Sequence, residues 1–448
     1  MKKTLHILFA TLAATVALVG CTKEITPPNF ENDKVNPATE GSRIIAVSFA
    51  PQTKTALNED GLTPKFIGKE MIKVSNGTEC KDCEVKVDDE GNATFTTDLE
   101  GPLKAVYPST AAKMNGNKIE GVLVSSVQSG TFASANICMA ENITDKAVFE
   151  NKTAVLRFYV GSEIEVTSVT LESLSESFAP NIGTKITVNA PAGKTLYDQM
   201  PDNQDKRVCY VAIPNGTFSQ LTITTTAETQ TPEAKMLTNC NLAAGSMYTV
   251  FIPYYIEVND QKWAYCNIGA FLPEEPGLYF AWGETQGHWL NAKSDDHSFT
   301  KDTYDHQAAA IDADIKLDSG HDAARENWGE KWRMPMFEEY SPLATTDFEW
   351  SDISSGKWGL NYTQDGKSLY FPPTGYIEDS SRKNPRVLYY LSSTINTDNK
   401  DSVYVWCSDE SALISRYHGI PIRPIYGSAP ESTVEDLTVK DEDTDNWQ

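Results

Sequence analysis

The first apolar stretch runs from Leu5 to Val19 behind Lys2 and Lys3, and it ends at Leu18-Val19-Gly20-Cys21. It falls short of the ~20 residues a spanning helix needs, and its basic start predicts a signal segment over 1–20. Residues 21–43 are polar, carry Pro27, Pro28 and Pro37 and show no period, which predicts a flexible tether. From Ile44 the period becomes two. Ile45, Val47 and Phe49 alternate with Ala46, Ser48 and Ala50, the pattern of a half-buried strand. Turn signals at Asn76-Gly77, Glu90-Gly91-Asn92 and Asn115-Gly116-Asn117 separate short runs at Met71–Val74, Glu84–Val87, Lys104–Tyr107 and Gly121–Val127. Ala154, Leu156, Phe158 and Val160 form the clearest alternation.

A second β series follows at Ile164–Leu171, Lys185–Val188, Val208–Ile213, Leu221–Thr225 and Met247–Ile252. Many short strands with frequent turns predict a sandwich architecture. After Pro253 the character changes. Residues 255–427 hold eight of the nine tryptophans, and four of the six histidines lie in 288–321. Short strands are predicted at Leu278–Trp282, Ser368–Phe371, Val387–Ser392, Val403–Trp406 and Ile420–Ile425, with helical pieces at Ala308–Lys316 and after Pro335. The fold class expected is therefore multidomain: two all-β sandwiches followed by an α+β domain over 255–427. Residues 428–448 carry seven acids against Lys440, which predicts a solvated, disordered tail.

Charge narrows the partners. The formal net charge is −24, and it is −26 once Lys2 and Lys3 leave with the signal. An acidic surface repels phosphate backbones, so no nucleic-acid partner is expected. Eight cysteines, less Cys21, leave an odd number, so at least one thiol stays free. Cys80-Lys-Asp-Cys83 is the one CxxC. It lies between turn-rich segments with no second pair to complete a zinc site, and reads as a local disulfide or two inert thiols.

Four resemblances sharpen this frame. Small residues before Cys21 resemble the lipobox of bacterial lipoproteins, which implies acylation of Cys21 and a lipid anchor in the outer membrane. Lys23-Glu24 partly resembles a surface-export signal of such lipoproteins, which implies exposure at the cell surface. Gln52-Thr-Lys-Thr-Ala56, Val127-Gln-Ser129, Phe149-Glu-Asn-Lys-Thr-Ala-Val-Leu-Arg-Phe158 and Leu242-Ala-Ala-Gly-Ser-Met-Tyr-Thr-Val250 resemble the fimbrillin-like lipoproteins. That family implies two consecutive transthyretin-like sandwiches, over 44–160 and 161–254, a place in or near a fimbrium with pilus subunits as partners, and cleavage after an arginine before the first strand. Arg43 is the arginine in that place, and it reads either as a processing site or as a solvated tether residue. Finally, Lys262-Trp-Ala-Tyr-Cys-Asn-Ile-Gly-Ala270, Gly277-Leu-Tyr-Phe-Ala-Trp-Gly-Glu-Thr285, Trp332-Arg-Met-Pro335, Phe371-Pro-Pro-Thr-Gly-Tyr376 and Ile422-Arg-Pro-Ile425 resemble the FISUMP domain. That resemblance implies a C-type-lectin-like fold.

Candidate chemistry is sparse. No phosphate loop, Gly-x-Ser-x-Gly or His-Glu-x-x-His is present. His288, His297, His306 and His321 are spaced for no standard metal motif, and the sugar-binding tripeptides of calcium lectins are absent. No metal, no cofactor and no catalytic residue is expected. Trp263, Trp282, Trp328 and Trp332 lie within family motifs and read as core. Trp289, Trp350 and Trp358 lie in charge-flanked stretches and are the ligand-binding candidates, since aromatic faces stack on sugar rings; edge packing is the other reading. Three functions stay open: a surface adhesin or tip pilin binding glycan or a surface protein, an enzyme on a formylglycine-generating-like scaffold, and a structural pilus subunit.

Overall fold

The computed structural model describes residues 42–50, 65–202, 204–228, 230, 232, 234–289, 299–304, 317–344, 349–352, 358–364, 367–408 and 413–428. The expectations for the signal segment, Cys21, most of the tether, Ala308–Lys316 and the acidic tail lie outside these residues. The protein is multidomain and mostly β-sheet. No helix among the described residues is long and apolar enough to cross a membrane.

The first body is built from β1 (Arg43–Phe49), β2 (Met71–Ser75), β3 (Cys80–Glu84), β4 (Lys86–Val87), β5 (Ala93–Thr97), β6 (Leu103–Tyr107), the hairpin β7 (Ala112–Asn115) and β8 (Lys118–Val122), and then β10 (Cys138–Ile143) and β11 (Lys146–Asn151). Its main sheet runs β3-β2-β6-β10-β11-β1-β5-β4. Strand β1 is central: it runs parallel to β11 and antiparallel to β5. Its alternation buries Ile45 and Val47 and exposes Ile44, as a one-sided strand requires. Phe49, Phe66, Tyr107 and Phe149 close the core as a cluster of ring contacts.

The chain enters the second body earlier than its alternation implies. β9 (Val127–Gln128) already pairs with β14 (Lys185–Asn189). Gln128 clamps Ala212 from both sides, its amide donating to the carbonyl and its oxygen accepting the N–H, each at 2.8 Å. Strand β12 (Thr153–Tyr159), which the expected boundary at 160 puts with the first sandwich, pairs instead with β15 (Val208–Pro214) and β18 (Met247–Thr249). Opposite lies the sheet β17-β16-β13-β14-β9, with β13 at Val166–Ser173, β16 at Gly216–Ala227 and β17 at Lys235–Leu242. Leu156, Val211, Leu171 and Ile223 meet between the two sheets.

The third body is assembled from small sheets. β19 (Tyr255–Val258), β20 (Gln261–Ala264), β30 (Ile425–Tyr426) and β21 (Trp332–Arg333) form one, and β22 (Glu349–Asp352), β23 (Trp358–Gln364) and β24 (Lys367–Phe371) another. Two further sheets pair β25 (Tyr376–Glu378) with β26 (Ser381–Lys383), and β27 (Tyr389–Ile395) with β28 (Ser402–Cys407) and β29 (Leu413–Ser415). The strands predicted at Leu278–Trp282 and Ile420–Ile425 are mostly single bridges, such as Phe280 with Ile420. Pro421 and Pro424 lack the N–H that a longer ladder needs. Helix α3 (Ala323–Trp328) starts at Asp322, whose carboxylate accepts from the Ala324, Arg325 and Met334 amides and so ties the helix to β21. Arg423 pins the whole body. Its buried guanidinium donates to the carbonyls of Ala264, Tyr265 and Tyr370 and to Asn267 Oδ1 at 2.7–3.1 Å.

Candidate binding surfaces

The second and third bodies are joined side chain to side chain, and one continuous core runs from Leu156 and Val211 to Trp263, Phe371 and Tyr390. Arg207 stands in the loop entering β15, and Glu274 in the turn after Pro273. Glu275 shapes that turn by accepting the Phe271 and Leu272 amides at 2.7 and 3.1 Å. The guanidinium meets Glu274 with two bonds of 2.8 and 3.0 Å and Asp205 with two more, at 3.1 and 2.9 Å. Burial opposes the charge of Arg207, but the carboxylates of Asp205 and Glu274 outweigh it and hold the guanidinium above its usual value. Beside this pair Tyr159 stacks on Tyr265 at 4.5 Å, and Arg157 lies over the Phe271 ring at 4.7 Å.

A cleft of about 540 Å³ opens at the same junction. Glu163, Tyr197 and Lys206 line it from the second body, and Tyr265, Asn361 and Ser368 from the third. Tyr197 is carried on α2 (Leu196–Gln199), a one-turn helix fixed by a capping box between Thr195 and Asp198. No local pattern marks this site, because its walls come from four stretches far apart in the chain.

The tryptophan candidates fall in different places. Trp289 is 52% exposed and follows the bridge between Tyr279 and His288. Trp358 is 58% exposed and opens β23. The register pairs Asp352 with Trp358 and Trp350 with Leu360, so positions 350 and 358 are diagonal neighbours on one sheet. Trp263 and Trp282 are fully buried. Arg43 sits inside β1, not ahead of it. It pairs with Thr97, and its guanidinium donates to the Gly101 carbonyl at 2.8 Å.

The thiols and imidazoles are dispersed. Cys80 and Cys83 lie on strand β3, three residues apart, so their side chains leave opposite faces; both are free. Cys266 is buried in the shared core, where burial pushes its thiol well above the usual range, and Cys407 lies against a different cluster. His321 bonds Asp318 at 2.8 Å, and His288 packs edge-on against Phe299. His297 and His306 lie outside the described residues. Among the described residues no group of three His, Cys, Asp or Glu side chains is arranged to hold a metal ion.

No family model and no curated protein matches the chain. Solved structures do. A crystal structure of a candidate cell adhesion protein from Bacteroides ovatus ATCC 8483 is 12% identical, covers 49% of this chain and 94% of its own, and has a TM-score of 0.29. One from Bacteroides fragilis NCTC 9343, also a candidate cell adhesion protein, is 11% identical over 46% and 87%, with a TM-score of 0.27. A leucine-rich repeat protein from Bacteroides thetaiotaomicron VPI-5482 is 10% identical over 47% and 25%, with a TM-score of 0.14. Scores this low assign neither fold nor role to this chain.

Proposed function

We propose that this protein is a cell-surface adhesin. Cys21 carries the lipid that holds it to the outer membrane, 21–43 form the tether, two fimbrillin-like sandwiches over 44–254 form the stalk, and the C-type-lectin-like FISUMP domain over 255–427 forms the head. The head binds a glycan or a surface protein through loops around Trp289, Trp350 and Trp358. The observation that carries this reading is the junction at Arg207 and Glu274, whose two hydrogen bonds tie the third body to the second, as presentation of a binding face requires. Exposure of Trp358 supports a stacking role, because a large apolar ring left in water is a common mark of a contact site. The bonds that Arg43 makes within β1 support the uncleaved, lipid-retaining form over a polymerised pilus subunit.

The test is a screen of residues 22–448 against glycan and surface-protein arrays, with and without calcium. Binding that survives removal of the lipidated Cys21 is expected. No binding to either array in either condition would sink the adhesin reading.

A further inference from the structure

The five-stranded sheet of the second body turns a broad, nearly uncharged face outward. Its strands are in register, so their outward residues line up across the sheet. The central row runs Thr224, Thr170, Thr187 and Val127, over β16, β13, β14 and β9. The residues that alternate with them on these strands, such as Val169, Leu171, Ile186 and Ile223, are buried in the core. Thr224 is exposed, and Val127 is 62% exposed. Met236 on β17, 59% exposed, stands beside Thr222 at the opposite edge.

A solvated sheet face ordinarily carries charges. The main sheet of the first body does so, with Lys73 on Asp82 and Lys104 on Glu141, each at 2.6 Å. In the central row and the two rows flanking it on the second body, Glu172 and Lys185 are the only charges, and they stand directly opposite each other on β13 and β14. The chain as a whole carries a formal charge of −24. That charge holds copies of the protein apart, so a neutral face is where two of them can close. Threonine suits such a contact. Its branched side chain is stiff, so little freedom is lost on docking, and it offers a methyl group beside its hydroxyl.

We propose that this face is a self-association surface: a second copy of the chain lays its own five-stranded sheet against it, about a two-fold axis that runs along the Thr224–Thr170–Thr187–Val127 row. Each residue of the row then faces its own counterpart, threonine on threonine and Val127 on Val127. The two flanking rows change places across the axis. Glu172 comes to face Ser168, and Lys185 comes to face Asn189, so no like charges meet. Strands about 4.8 Å apart and residues about 3.3 Å apart make the face about 24 by 20 Å, or roughly 1,000 Å² for the two copies together. That is the low end for a specific interface, so the pair is weak and reversible. The pairing uses none of the exposed tryptophans and does not depend on the adhesin reading.

The test is sedimentation equilibrium of residues 22–448 up to about 1 mM protein, in about 0.15 M salt, where net charge is screened beyond ~8 Å. The average mass should rise with concentration toward that of a dimer. Thr170→Glu and Thr224→Glu each set two like charges across the axis and should weaken association about tenfold or more. Thr96→Glu, an equal charge at an exposed position of the first body, should leave it unchanged. Thr170→Lys alone should also weaken it, whereas an equimolar mixture of Thr170→Lys and Thr170→Glu should associate at least as well as the parent, a recovery that misfolded variants would not give. Thr224→Lys mixed with Thr224→Glu repeats the test at an exposed position. The proposal is overturned if the parent stays monomeric throughout, which would leave the face to a different partner. It is also overturned if the glutamate variants associate like the parent, if Thr96→Glu weakens association as much as they do, or if neither mixture recovers.

Discussion

Arg207 and Glu274 are 67 residues apart in sequence and joined by two parallel hydrogen bonds of 2.8 and 3.0 Å across the junction of the second and third bodies. The Glu274 side chain is 2% exposed and that of Arg207 21%. Such a pair is withdrawn from the solvent that weakens surface ion pairs. Glu274→Gln keeps the shape of the side chain and removes its charge. Because Asp205 still holds the guanidinium, the expected loss of stability is about 2 kcal/mol, below the ~3–5 kcal/mol of a fully orphaned buried charge. Urea unfolding of the parent and the variant measures it; an unchanged midpoint would mean that the junction does not depend on this pair.

His418 makes the third body sensitive to acid. It is 7% exposed, stacks on Tyr376 and has Glu378 at 3.5 Å. Burial pushes its pKa down, against the attraction of Glu378 and Asp379, so the folded state holds it neutral where the unfolded chain is already charged. The unfolded state therefore binds more protons below its ordinary value of about 6.5. This contribution to stability is present above that pH and is lost as the pH falls below it. Between pH 7.5 and 5.5, the urea midpoint of the parent should drop by more than that of His418→Gln. Equal drops would remove His418 as the cause.

The strands were legible where residues alternate, as at Arg43–Phe49 and Met71–Ser75, because a one-sided strand must bury every second residue. Which sheet a strand joins was not. Thr153–Tyr159 finds its partner Val208–Pro214 some fifty residues later, and no local pattern carries that information. Asp322 followed by two alanines is a readable helix start, but six residues are too few to show a period. Arg207 and Glu274 are single charged residues in loops, so nothing in the sequence marks them as a pair. The cleft beside them was equally hidden, since Tyr197, Tyr265 and Asn361 meet only once three segments have folded together.

Arg43 begins strand β1 and anchors it to Gly101, so a protease must first peel the strand end away from β5 to reach the bond after it. An arginine-specific protease should leave this bond intact in the native protein over times that cut it fully in denaturing urea. Mass spectrometry of the N-terminus reads the result. Rapid cleavage under native conditions would show that β1 opens readily at this end.

Trp358 is 58% exposed, so Trp358→Ala should change stability by no more than about 0.5 kcal/mol. Binding to the surface ligand found in the array screen should fall about tenfold or more, as expected for an aromatic anchor. A variant that is folded and binds fully would move the adhesive surface elsewhere on the third body.

The central claim is that the third body and the second sandwich are one folded unit. Eight of the nine tryptophans lie in 255–427, so tryptophan fluorescence follows the third body, with no tryptophan in either sandwich. Leu156 is 1% exposed in the core of the second sandwich, on β12. Leu156→Ala opens a cavity there and costs about 2–5 kcal/mol. In urea unfolding of residues 22–448, one unit requires this substitution to lower the tryptophan-reported midpoint of the third body together with the β-sheet circular dichroism. A tryptophan midpoint that stays at the parent value while the sandwich signal shifts would show that the second and third bodies fold independently.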